Sequence, residues 1–187
     1  MKKLMIIILA WLMAAPTAAQ NLIVNGDFNT DTNGWVGVPS TTLTWVNDDG
    51  APTSGNGSMM NINSFNNGSS FPAISEKMTV IPNHWYLTGF SYKVPADSPV
   101  SWVLYRFHWY DDLNNQIGFS DFVGTDFNFP RDVWENFTGL NQVPELATQG
   151  ELRIYFQSGV NGETDLPYGF WDDVSVFEKT IYVDGFD

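Results

Sequence analysis

The feature that most constrains this chain of 187 residues is a two-residue alternation of its side chains. Beyond residue 19 no long apolar period of 3.6 residues occurs. Short runs rich in β-branched and aromatic residues instead alternate with clusters of Gly, Asn, Asp, Ser and Pro. Strands are expected over 22–24, 41–46, 59–62, 74–80, 85–94, 100–110, 117–123, 133–140, 151–157 and 169–177. Asn25-Gly26-Asp27, Asp48-Asp49-Gly50 and Ser54-Gly55-Asn56-Gly57 read as turns between them. Nine or ten short strands with no convincing helix predict an all-β sandwich or barrel. No linker or strong internal repeat divides the chain, so residues 20–178 are expected to form one domain, followed by a short tail at 179–187.

The N-terminus has a different grammar. Lys2 and Lys3 precede an unbroken apolar run over 4–13, then Ala14-Ala15-Pro16-Thr17-Ala18-Ala19. This order predicts an export signal cut after Ala19, or after Ala18, and a secreted or periplasmic protein. The competing reading is an uncleaved anchor, but the run is about half the ~20 residues that span a bilayer, so no membrane span is expected. Cysteine is absent, which excludes disulfides and a lipidated terminus. The net charge is −13, and two of the eight basic residues but none of the 21 acidic ones fall in the signal. So acidic a chain argues against nucleic acid and anionic membranes as partners. It suits a neutral ligand or Ca²⁺. Nothing in the sequence sets an oligomeric state.

Alternation also assigns faces. In 152–157, Leu152, Ile154 and Phe156 should face the core, with Arg153, Tyr155 and Gln157 opposite. In 102–110, Val103, Tyr105, Phe107 and Trp109 should face the core. The opposite set is Trp102, Leu104, Arg106, His108 and Tyr110. Aromatic planes mixed with Arg and His suit a sugar, whose rings offer apolar C–H faces and whose hydroxyls need polar partners. The plainer reading is an amphipathic strand with scattered exposed aromatics.

Three stretches carry a resemblance. Asn21-Leu22-Ile23-Val24-Asn25-Gly26-Asp27-Phe28 with Asn33-Gly34-Trp35 is the first. Trp134-Glu135-Asn136-Phe137-Thr138-Gly139, then Val143-Pro144 and Leu152-Arg153-Ile154-Tyr155-Phe156, is the second. Phe170-Trp171-Asp172-Asp173-Val174-Ser175-Val176 is the third. In this order they resemble the CenC-like carbohydrate-binding modules of families 4, 9 and 22, within the galactose-binding-like jelly rolls. The resemblance spans about residues 21–178.

It implies a jelly-roll β-sandwich of two antiparallel sheets that binds a glycan without catalysis. It also implies a structural Ca²⁺ near the first and last strands, held by Asp27 with Asp172 or Asp173 and by carbonyls of 53–55. Two carboxylates plus carbonyls are a reasonable set for a cation that takes six to eight oxygens. Alternation should place Asp172 on the side of Val174 and Val176, partly buried. The plainer reading has these Asp residues capping solvated turns. For the glycan, the resemblance places Tyr155 and Gln157 in the strand that carries a Tyr-x-Glu pair in family 22, with Gln here for Glu. Trp102, Arg106 and His108 rest on the face argument alone. The 63–71 segment lacks the expected groove Trp, which departs from a xylan or β-glucan site.

Catalytic chemistry is weakly represented. The pairs Asp48-Asp49, Asp111-Asp112 and Asp172-Asp173 invite a glycosidase reading, yet neighbours on a strand point to opposite faces. Glycosidase carboxyls must face each other ~5–9 Å apart. His84 and His108 have no zinc spacing, and His84 follows Pro82-Asn83 in an expected loop. The alternatives to glycan binding are therefore a structural or adhesive surface protein on the same fold, and, less favoured, a glycoside hydrolase.

Overall fold

The alternation is realised as strands alone. The computed structural model describes residues 20–53, 55, 57–64, 70–125, 128–158 and 165–179, and these form twelve strands and no helix. In chain order they are β1 (Trp35–Gly37), β2 (Thr41–Asn47), β3 (Gly57–Asn63), β4 (Ser70–Ser75), β5 (Met78–Thr79) and β6 (Trp85–Lys93). The rest are β7 (Val100–Tyr110), β8 (Gln116–Phe119), β9 (Val123–Thr125), β10 (Glu135–Gln142), β11 (Gln149–Ser158) and β12 (Tyr168–Lys179). One sheet runs β1-β4-β11-β7-β8, with β5 beside β11 and β9 beside β7. The other runs β10-β6-β12-β3-β2. Every recorded pairing is antiparallel, and the whole is a jelly-roll β-sandwich. The signal segment and residues 180–187 lie outside the described residues.

The inner faces are those the alternation assigns. Val103, Tyr105, Phe107 and Trp109 of β7 are buried, as are Leu152, Ile154 and Phe156 of β11. They meet Tyr86, Phe90, Tyr92, Trp171, Val174 and Val176 from the opposite sheet. The layers are tied by rings: Phe156 stacks on Trp171 at 4.1 Å, and Phe90 meets Tyr105 edge-on at 5.9 Å. Gly169 keeps Phe156 in place, because a Cβ there would come within 2.4 Å of that ring.

Four departures from the expected strands have local causes. Residues 22–24 do not form a strand. The Asn21 side chain takes over the ladder, accepting from Ile23 N and Val176 N and donating to Val174 O. The chain then turns at Asn25, in the left-handed region at φ 50°. Leu22 N still reaches Val176 O, and Val174 N reaches Gly26 O, so the segment lies along β12. Only glycine fits at position 26, since a Cβ would meet Val174 O at 2.0 Å.

The run expected over 74–80 is two strands, and the first begins earlier, at Ser70. Pro72 is tolerated in β4 because β1 covers that strand only from Ala73 onward. The run over 117–123 breaks at Ser120. There the side chain accepts from Phe107 N while Ser120 N donates to Phe107 O.

Finally, β12 carries a bulge. Its register against β6 shifts between Asp172 and Ser175, with Asp173 left-handed at φ 51°. The extra residue reverses the parity. Asp172 therefore pairs with the outward Ser91 and does not share the side of Val174 and Val176, contrary to the expectation. It is nonetheless fully buried.

Candidate ligand-binding face

The register of β7 against β11 assembles the expected face. Gln157 lies opposite Trp102, Tyr155 opposite Leu104, Arg153 opposite Arg106, and Glu151 opposite His108. Trp102, Arg106, His108, Tyr155 and Gln157 thus share the outer face of the seven-stranded sheet. At about 3.4 Å per residue, the face extends roughly 20 Å from Trp102 to His108.

Two further residues belong to it that the sequence reading did not nominate. Phe119 and Phe122, from β8 and the β8–β9 connection, fold over its centre. The Arg106 guanidinium sits 4.2 Å from the Phe119 ring centre and 3.7 Å from that of Phe122. Phe122 meets Tyr155 edge-on at 5.2 Å, and Phe119 lies 5.8 Å from the His108 ring. Tyr155 and His108 are consequently floor residues, buried beneath these rings. The rings that face solvent are Phe119, 56% exposed, and Phe122, 45% exposed.

The polar groups on the face are unevenly satisfied. Arg153 is held by Glu151, which accepts from Nε at 2.7 Å and Nη2 at 2.6 Å. Gln157 Oε1 accepts from Ser70 Oγ at 3.2 Å. Among the described residues Arg106 Nε is buried without a hydrogen bond, and neither His108 ring nitrogen makes one of good geometry, although Gln116 approaches the ring. Burial, then the neighbouring Arg153 and Arg106 charges, push the His108 pKa below its ordinary value of 6.5. The ring is therefore neutral at pH 7 and can donate from one nitrogen and accept at the other. Burial likewise pushes the Tyr155 hydroxyl up, so it remains protonated.

Trp102 also reaches a second feature. It lines a cleft of about 560 Å³ on the flank of the sandwich with Tyr92, Leu104, Gly124, Thr125, Asn136 and Phe137. The face and the flank cleft meet at this residue.

The expected metal ligands lie elsewhere, around the 48–57 loop. Asp172 accepts from Ala51 N at 2.7 Å and from Asp173 N at 2.8 Å. Asp173 accepts from the Thr53 hydroxyl. Asp27 is exposed and accepts from Asn29 Nδ2 at 2.7 Å. Among the described residues no three His, Cys, Asp or Glu side chains gather into a metal-ligating group. The surroundings are nevertheless rich in neutral oxygen. Asn29 Oδ1 lies against Gly55, where a Cβ would meet it at 2.1 Å, and the Gly55 and Gly57 carbonyls crowd Gly50. A carboxylate with amide and backbone oxygens is the type of donor that hard cations such as Ca²⁺ take.

No protein-family model matches the chain, and no curated protein matches it. Solved structures do. The enzymatically active domain of bacteriophage CBA120 tailspike protein 4 superposes with a TM-score of 0.61 at 17% identity, over 85% of this chain and 21% of that one. The Clostridium thermocellum N-terminal endo-1,4-beta-D-xylanase 10B, comprising its CBM22-1 and GH10 modules with xylohexaose, gives 0.62 at 19% identity, over 84% of this chain and 28% of that one. This chain thus spans well under a third of the length of these two. The CBM22-1 xylan-binding domain of Paenibacillus barcinonensis Xyn10C gives 0.60 at 12% identity, over 88% of this chain and 97% of that one. At such identities the shared property is the fold, and it is the jelly-roll β-sandwich of carbohydrate-binding modules.

Proposed function

We propose that this protein is a non-catalytic glycan-binding module whose ligand lies along the outer face of β7 and β11. The observation that carries the reading is the composition of that face. Exposed Phe119 and Phe122 rings stand beside the half-buried Arg106 guanidinium and over the neutral His108 ring, so one sheet face mixes apolar planes with polar groups. A sugar answers both at once, stacking its C–H face on a ring and placing hydroxyls on the polar groups. The xylan-binding domain and the xylohexaose complex among the structural neighbours support the same class of ligand.

Export belongs to the proposal through the expected signal at 1–19, and among the described residues no helix is long and apolar enough to cross a membrane. We include a stabilising Ca²⁺ at the 48–57 loop. Asp172 or Asp173, Asn29 and loop carbonyls would hold it, with Asp27 as the outlying candidate.

Affinity gels test the function directly. The protein should be retarded by at least one polysaccharide in a panel of xylan, β-glucan, mannan and charged glycans. Phe122→Ala should weaken binding about tenfold, or ~1.4 kcal/mol, and Trp102→Ala should weaken it where the ligand reaches the flank. Retardation by none of them leaves the structural or adhesive reading, for which self-association on size exclusion is the positive sign. Release of reducing sugar by the purified protein would instead restore the hydrolase reading.

A further inference from the structure

The cations of this acidic chain are distributed in a way that neutral-sugar binding does not require. Six Lys and Arg residues follow the signal segment: Lys77, Lys93, Arg106, Arg131, Arg153 and Lys179. Lys93 pairs with Asp49, and Arg131 donates to the carbonyls of Ser98 and Val100 at 3.0 and 2.6 Å. Lys179 ends β12. The remaining three cluster on the ligand-binding face. Lys77 lies over the Tyr110 ring at 3.3 Å, and Arg106 and Arg153 are direct cross-strand partners.

Like charges placed opposite one another destabilise a sheet. Glu151 relieves only one of them, Arg153. Arg106 makes no ion pair among the described residues; its neighbours are the two phenyl faces and a buried Nε without a hydrogen bond. Phe119 and Phe122 fix the guanidinium plane while supplying no counter-charge. A chain of net charge −13 thus keeps, between two exposed phenyl rings, a cation with no ion pair among the described residues.

We infer that the ligand is an acidic glycan, and that an oxyanion on one of its sugars, a carboxylate or a sulfate ester, sits on Arg106 while neighbouring rings stack on Phe119 and Phe122. The guanidinium fork matches either group through two parallel N–H donors. This rests on the glycan-binding reading and adds the charge of the ligand to it. The net negative charge of the protein opposes long-range approach of a polyanion. At 0.15 M salt that repulsion is screened beyond about 8 Å, so recognition depends on the local cation.

Affinity electrophoresis and titration calorimetry at 0.15 M NaCl, on the full protein, should compare matched pairs. Polygalacturonate against its methyl ester isolates the carboxylate, and dextran sulfate against dextran isolates the sulfate. Neutral xylan serves as the uncharged reference. The expected result is at least tenfold tighter binding to one charged member than to its neutral twin, weakening as salt rises. Arg106→Gln should remove that preference and its salt dependence, so that the charged and neutral twins bind with the same affinity, whatever both lose in common. Arg106→Lys should keep part of the preference, and both variants should retain the wild-type melting profile. Equal binding of charged and neutral twins, or an undiminished preference in Arg106→Gln, overturns the inference and leaves glycan binding intact. Retention by no glycan, charged or neutral, overturns glycan binding itself.

Discussion

His108 shows what a single residue on this face contributes and costs. The residue is 9% exposed and flanked by the charges of Arg153 and Arg106, so burial and those neighbours hold its pKa below 6.5. In the unfolded chain it titrates at the ordinary value. Between the two values the unfolded chain therefore binds more protons, and stability rises with pH. The His108 contribution is fully present above about 6.5 and is lost as pH falls through that value toward the folded pKa. Urea midpoints should accordingly decline between pH 7 and pH 5, and His108→Gln should flatten part of that decline. Parallel pH profiles for the two proteins would remove His108 from the account. The same neutrality means that glycan affinity should not gain from a charged imidazole near pH 7, which leaves Arg106 as the cation at the centre of the face.

At the scale of elements, β12 is the one whose irregularity matters most. Its bulge places Asp172 beneath the 48–57 loop, where it accepts from Ala51 N and Asp173 N. Asp172→Ala would leave both donors without an acceptor, and loss of hydrogen bonds to a buried carboxylate should cost about 1.5–3 kcal/mol in urea unfolding. A change within about 0.5 kcal/mol would show that the loop finds other partners.

The bulge also marks where sequence reasoning stops. β7 and β11 were legible because they are long and regular, so period-two counting put Trp102, Arg106, His108, Tyr155 and Gln157 on one side. That counting fails at Asp172, because one inserted residue reverses the side chains and no local pattern announces it. Phe119 and Phe122 escaped for a related reason. Their placement depends on Ser120 exchanging hydrogen bonds with Phe107, a contact between strands. The first segment failed differently: Asn21 imitates a strand's backbone with its side chain, and composition cannot distinguish the two.

At the scale of the whole molecule, two sheets are held by interlocking rings, while the loops at one end are held by polar contacts. Phe156 and Trp171 join the layers across the core. The 48–57 loop depends on Asp172, Asp173 and Thr53. If Ca²⁺ binds there, it adds stability in proportion to its saturation, about 2.7 kcal/mol at a hundred times its Kd. For a domain of this size that corresponds to roughly 5–10 °C. A thermal melt in EDTA should fall by that amount and recover with added Ca²⁺. Coincident midpoints with and without EDTA would argue against the metal.

The pairing of residues 21–26 with β12 has a mechanical consequence. Leu22 meets Val176 and Gly26 meets Val174, so the two segments run antiparallel and the described chain enters and leaves at the same end of that pairing. A pull between residues 20 and 179 would not shear several hydrogen bonds together. It would load them one after another, beginning with the Asn21 and Leu22 contacts to Val176, and the domain would open like a zip at low force. The face proposed for the glycan lies on the other sheet, so this first seam would part before the strands that carry that face.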